Sequence, residues 1–258
     1  MSMRAEGRRN LALGAFGFLV VIASWWVVAD TVFAENGVVP APPALLDQLQ
    51  RDGGEYYLNQ IGVTLTSAGQ GYLWGVLIAF LLASIVMLLP RSLTAVSQFA
   101  LFVECAPAAA IGPVVLAIAG GRTPSIFLAA VGVFFTTLVG TLLGLRAARK
   151  AELDLVTVYG GRRWALFRKV RVIAALPAAV TALKVAVPAA IMGAIIGEYL
   201  GGVDSGIGVA LAVSQRSIQV ERTWIFGLSA AAMTSIGYGL LAMLGRVALP
   251  WAASERAR

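Results

Sequence analysis

The chain has 258 residues, of which 59% are apolar and only 13% are Asp, Glu, Lys or Arg. A soluble domain carries roughly 25% charged residues, so a soluble enzyme is disfavoured. The chain has no His and a single Cys, Cys105, so imidazole chemistry, an internal disulfide and a multi-thiolate metal site are excluded. An integral membrane protein with a net charge of +7 remains.

A membrane-crossing helix needs about 20 mostly apolar residues. Six stretches qualify, at about 11–33, 71–89, 93–119, 124–145, 178–200 and 224–249. These runs are too long for barrel strands of about 10 alternating residues. The expectation is an all-α integral membrane protein with six transmembrane helices in one transmembrane domain, 1–258. The first stretch, preceded by Arg8 and Arg9 and followed by Val32-Phe33-Ala34, could be read as a secretory signal. Its apolar run exceeds a signal core of about 7–15 residues, so a retained anchor is expected.

Between the first two spans, the Pro40–Pro43 region breaks the chain. Two short amphipathic helices are expected to follow, at 44–51 and from Glu55 onward, lying on the outer membrane surface. Within the third span, Glu104 lies about a dozen residues deep and next to Pro107. A carboxylate at such depth costs about 2.5–3.5 kcal/mol on insertion scales and tends to face a cavity or partner. It is read as lining a path, or as an internal ion pair with Lys184, or as a protonated acid hydrogen-bonded to kinked backbone. Cys105 and the Met residues read as packing groups, and most Trp as interfacial anchors.

Segment 146–176 holds eight of the twenty Lys and Arg, two acids and the pair Gly160-Gly161. Its apolar spacing predicts two short helices with the glycines between them. Pattern alone leaves two readings open: a basic helix on anionic lipid, or a helix that docks a protein. Segment 201–222 contains Gly201-Gly202, Gly206-Ile207-Gly208 and an apolar run too short to span, read as a re-entrant or surface helix. Fifteen of the twenty basic residues fall on one side of a six-span topology and four on the other, with Lys184 inside a span. The positive-inside rule then places both termini in the cytoplasm. Because these charges flank apolar spans, they do not point to nucleic acid. No P-loop sequence is present.

The stretch from Asp154 to Val170 resembles the cytoplasmic "EAA" loop of bacterial ABC importer permeases. Gly160 stands at the family glycine, and Trp164, Leu166 and Phe167 match the "RWQLF" form of the nitrate, sulfonate and taurine branch. Val38-Val39-Pro40-Ala41-Pro42 resembles its "LPSP" segment, and Gly206-Ile207-Gly208 its "GLG" turn. Glu198 resembles the acid that closes the fifth span, and Lys184 stands where the branch usually has Arg. Asp154-Leu155-Val156 replaces Glu-Ala-Ala, and Val172-Ile173 replaces Leu-Pro.

The resemblance implies a type I importer permease with a cytoplasmic coupling helix. Asp154, Val156, Tyr159, Gly160, Gly161, Arg163, Trp164 and Phe167 would dock an ATPase, while Glu104, Lys184 and Glu198 would line or gate the substrate path. It further implies two ATP-binding cassette subunits, a second permease copy or homologue, and an extracytoplasmic solute-binding protein in a bacterial inner membrane. ATP and Mg would belong to the ATPase subunits; no cofactor, metal or catalytic group is expected on this chain. The cargo expected from the branch is a sulfonate-, nitrate- or taurine-like solute. An ionised Glu104 in the path would favour a neutral or cationic heterocycle of the pyrimidine type. An ion-driven transporter or channel, and a membrane-embedded enzyme, are the rival readings.

Overall fold

The structure, a computed structural model, describes residues 2–35 and 37–249. Among them there is no strand. In chain order the helices are α1 (Ser2–Thr31), α2 (Pro42–Asp52), α3 (Gly54–Leu88), α4 (Leu93–Cys105), α5 (Ala108–Ala119), α6 (Thr123–Arg146), α7 (Lys150–Val158), α8 (Arg163–Leu166), α9 (Val172–Leu200), α10 (Ile207–Arg216) and α11 (Val220–Ala248). A π-helical turn, Phe167–Arg171, joins α8 to α9 without a break. Among the described residues five helices are long and apolar enough to cross a membrane, and α4 with α5 makes a sixth, bent pair. The all-α membrane fold expected from the apolar runs is the one observed.

Three spans form the core. Helix α6 packs along both α3 and α9, which also touch each other. Between lipid-soluble helices the hydrophobic effect contributes little, so close packing of small residues takes over. A stripe at four-residue spacing on α3, Gly71, Gly75, Ala79 and Ala83, is buried. A Cβ at Gly71 would overlap Ala129 of α6, and one at Gly75 would meet Val133. Gly140 and Gly144 of α6 receive Ala182 and Ala178 of α9 in the same way, and Gly193 and Gly197 of α9 meet α6 at Ala129 and Ser125. Helices α1 and α11 stand outside this core, and the membrane window of α1 is largely exposed. Helix α1 is tied in where Trp25 stacks on Trp224 of α11, ring centroids 5.6 Å apart.

Three elements differ from the sequence expectation. The third span is not continuous: α4 and α5 meet at a 98° bend. Ala106 precedes a proline and is extended, with φ −70° and ψ 129°, as the clash of the proline ring with the preceding residue favours. The second amphipathic surface helix does not exist as a separate element. Its residues form the first turns of α3, whose 35 residues extend about 50 Å, well beyond a hydrocarbon core of roughly 30 Å. The fifth span likewise starts earlier than residue 178, because α9 runs through Pro177 and Pro188. Helix α10 is a short half-buried helix packed on α9, α11 and α3.

At one end of the bundle, α2, the start of α3, α10 and the start of α11 share an apolar cluster of Leu45, Tyr57, Ile207, Ala210, Ile225 and Phe226. The other end carries α7, α8 and the π turn.

Candidate functional site

The α7–α8 loop is built on a capped helix end. Helix α7 stops at Val158, and Gly160 takes φ +77°, a left-handed conformation that only glycine adopts cheaply. The Gly160 N–H donates to the Thr157 carbonyl at 3.0 Å and the Gly161 N–H to the Val156 carbonyl at 2.8 Å. This bond pair is a Schellman cap. A Cβ on Gly161 would run into the Val156 side chain. Both glycines therefore have a local reason to be glycine. They also set the direction in which the next residues leave.

Past the cap, the loop exposes apolar groups. Val158 is 82% exposed, Tyr159 84% and Trp164 59%, and Asp154 and Arg163 are exposed beside them. Phe167 does something different. It is half-buried against the cluster of Leu145, Ala175 and Leu138 at the ends of α6 and α9. Trp164 rests on it, ring centroids 5.7 Å apart and planes tilted by 32°. Phe167 is thus the root of the pair and Trp164 the presented face. Val156 lies over a cavity of about 590 Å³ between α7 and the first turns of α9, lined also by Leu155, Val170, Ile173 and Pro177.

The opposite end holds a buried carboxylate. Glu198, in the last turn of α9, is 1% exposed. Its Oε2 accepts from Thr64 Oγ1 of α3 at 2.8 Å and from the Gly208 N–H at 3.0 Å. Its Oε1 faces Arg122 Nη2 at 3.4 Å. Arg122, between α5 and α6, also donates to Ser67 Oγ at 2.9 Å, the Val63 carbonyl at 3.2 Å and Ser205 Oγ at 3.2 Å. The Ile207 N–H donates to Thr64 Oγ1 at 2.8 Å and the Gly206 N–H to Gln60 Oε1 at 2.7 Å. The first amides of α10 are thereby paired with side chains, and a negative charge lies at the positive end of that helix. Gly206 has φ +125°, and a Cβ there would overlap the Glu198 carboxylate. The arrangement clamps α3, α9, α10 and the α5–α6 connection into one unit.

Sequence reading singled out Glu198 but missed Arg122, Thr64, Ser67 and Gln60. A signal existed: Gln60, Thr64 and Ser67 recur every three or four residues in the first half of α3, which places them on one face. A second missed pair lies nearby. Arg222 of α11 holds Asp52 of α2 with two bonds, at 2.7 and 2.5 Å, and Asp52 also accepts from Tyr57 and Gln48. The bonds from Arg222 hold the Asp52 carboxyl well below the usual carboxylate range, against the opposing effect of burial.

The other two candidates are not brought together. Glu104 is exposed in the last turn of α4, at the corner of the bent pair. Lys184 is half-buried on α9, its stem over α11; a Cβ on Gly245 would lie 3.0 Å from its Cε. Among the described residues the ion pairs are Arg122–Glu198 and Arg222–Asp52, so the Glu104–Lys184 pair is not formed.

These features define a class: a polytopic helical membrane protein with a rigid small-residue core and an exposed aromatic loop at one end. The chain belongs to the family described as "Binding-protein-dependent transport system inner membrane component", whose sequence profile matches residues 71–249. It is accordingly a permease subunit of a binding-protein-dependent ABC transporter, a multi-pass inner-membrane protein and not an enzyme. No curated protein matches its sequence significantly. The matched region includes the α7–α8 loop, Glu104, Lys184, Glu198 and Arg122, while α1, α2 and the first turns of α3 precede it.

Proposed function

We propose that this permease couples ATP hydrolysis in a separate subunit to import of a small organic solute, and that the α7–α8 loop is the coupling element. One observation carries the reading: Val158, Tyr159 and Trp164 are all exposed on either side of the glycine cap that joins α7 to α8. Burying each large apolar side chain in a partner groove contributes roughly 1.5–3 kcal/mol. Arg163 and its basic neighbours would meet acids on the rim. Gly160 and Gly161 would act by setting the loop's direction, and Phe167 by anchoring it to α6 and α9. Motion of the ATPase would thus reach the spans through a packed contact.

In this reading two ATPase subunits hold ATP and Mg, and this chain supplies half of the path beside a second permease, identical or homologous. A binding protein delivers the cargo at the α2–α10 end, and the termini and the α7–α8 loop are cytoplasmic. The cargo proposed is sulfonate-, nitrate- or taurine-like, or a pyrimidine-type heterocycle. Exposure of Glu104 at the α4–α5 corner supports its facing the path. Glu198 holds the outer end of the path together, and Lys184 sits on the α9 face turned to α11.

The test is uptake and ATP hydrolysis in vesicles holding the assembled transporter. Trp164→Ala should weaken docking by about 2 kcal/mol or more, as central aromatic contacts do, and uptake should fall while the subunit stays folded. Gly160→Trp should act similarly by breaking the cap. Wild-type uptake by both variants rejects the reading.

A further inference from the structure

At the end of the bundle that carries α7, a second cavity of about 270 Å³ lies between the last turn of α3, the first residue of α4 and the last turn of α6. Its walls include Val86, Met87, Leu93 and Leu145, and it is also lined by Arg146 and Arg171. Arg171 comes from the π-helical turn, a local widening of the helix that recurs at functional positions. It is half-buried, and its side-chain partner is the Met87 thioether, 3.5 Å from Nη1. A thioether is a weak acceptor for a group with five strong donors. Among the described residues neither arginine has a carboxylate within 4.0 Å, since the ion pairs lie elsewhere.

We infer that this cavity binds the phosphate head of an anionic phospholipid. The two cations supply the charge complementarity. The choice of a lipid over a soluble anion or an acidic protein follows from the walls. Apart from Ala148, which precedes α7, and Leu153 within it, the apolar walls are the ends of membrane-crossing helices, and Leu89 beside them is 60% exposed, so a head seated here has its acyl chains along lipid-facing surface. The aromatic groups that a protein partner would cover, Tyr159 and Trp164, belong to the neighbouring loop and do not line the cavity. Basic pockets between spans are recurrent sites for anionic head groups. Because Arg171 lies between α8 and α9, a bound head would steady the joint between the loop and its span. The inference rests on the membrane-spanning fold and stands apart from the coupling reading.

The full-length chain purified in mild detergent is mixed with phosphatidylglycerol or phosphatidylcholine. Lipids retained are counted by native mass spectrometry, and melting temperature is followed in parallel. Phosphatidylglycerol should be retained preferentially and should raise the melting temperature. Each cavity arginine removed should cost roughly fivefold in retention, the equivalent of about 1 kcal/mol, in Arg146→Gln and Arg171→Gln. Arg171→Lys should keep most of the preference, which shows that the fold survives at this position. Arg168→Gln removes the same charge from an exposed site outside the cavity and should leave retention unchanged. Equal loss in Arg168→Gln reduces the effect to diffuse attraction and overturns the site. Wild-type retention by Arg171→Gln overturns it too. Inorganic phosphate that raises the melting temperature as much as phosphatidylglycerol overturns the lipid as ligand. Loss of a co-purifying protein with lipid retention intact reassigns the arginines to protein docking.

Discussion

Removing the Glu198 carboxylate tests whether the α10 clamp is a structural device or a moving gate. Glu198→Ala strands the Gly208 amide and the Thr64 hydroxyl, both buried, and takes the counter-charge from Arg122. Each buried donor left without an acceptor costs about 1–3 kcal/mol, and breaking a buried ion pair from one side costs roughly 3–5 kcal/mol. Arg122 is 35% exposed and keeps Ser67, Ser205 and the Val63 carbonyl, which moderates its share. The expected total is therefore about 3–5 kcal/mol. Glu198→Gln keeps the volume and one carbonyl oxygen for Thr64 and Gly208. It loses the attraction to a partly solvated arginine at 3.4 Å, worth about 1 kcal/mol. The assay is denaturant unfolding of the purified chain followed by Trp fluorescence, with uptake measured on the same variants. Stability should fall in the order wild type, Gln, Ala, with most of the gap between Gln and Ala. An Ala variant within about 1 kcal/mol of wild type whose uptake is abolished would refute the clamp and make Glu198 a gate.

The remaining predictions concern single contacts. Trp164→Ala should separate uptake from stability, because the ring is exposed while Phe167 beneath it is packed on the core; a melting temperature that falls with uptake would mean a folding defect. Asp52 is depressed below its ordinary range by Arg222, so its contribution is full above the unfolded pKa of about 4 and shrinks as pH falls below that. Asp52→Asn should accordingly be less stable than wild type by a constant amount at pH 5–8, with the gap closing on acidification; a gap that widens in acid reverses the sign and rejects the ion pair as its source. Ile218, at the end of α10, is 84% exposed at φ +54°, a left-handed conformation costing a non-glycine residue about 1–2 kcal/mol. Ile218→Gly should raise resistance to denaturant by up to about 1 kcal/mol, and a loss of stability would show that the side chain is held by a contact.

Much of this molecule follows from the chain read alone. Run length and low charge dictate spanning helices, because nothing else satisfies backbone polar groups in lipid. The Gly160-Gly161 pair between two short apolar patterns marks the capped loop, because a left-handed helix end is a local requirement. The bend at Ala106–Pro107 was equally local and visible as a proline, but a proline inside a span can be tolerated, as Pro177 and Pro188 are in α9. Which outcome occurs depends on whether neighbours pack against the straight helix. The destination of Arg122 was not readable, since its partners lie 55, 76 and 83 residues away. The same holds for the glycine stripes. Their spacing shows that a face is smooth, and only the assembled α3–α6–α9 core shows which helix fills it. Composition and period therefore determined that the chain crosses the membrane and where its loop turns. The tertiary structure alone decided that Glu198 is buried and bonded to α3, α10 and Arg122, that Phe167 packs on the ends of α6 and α9, and that Glu104 and Lys184 do not pair. A buried charge or a close helix approach is settled by distant residues meeting in space, and a single sequence carries no record of those distances.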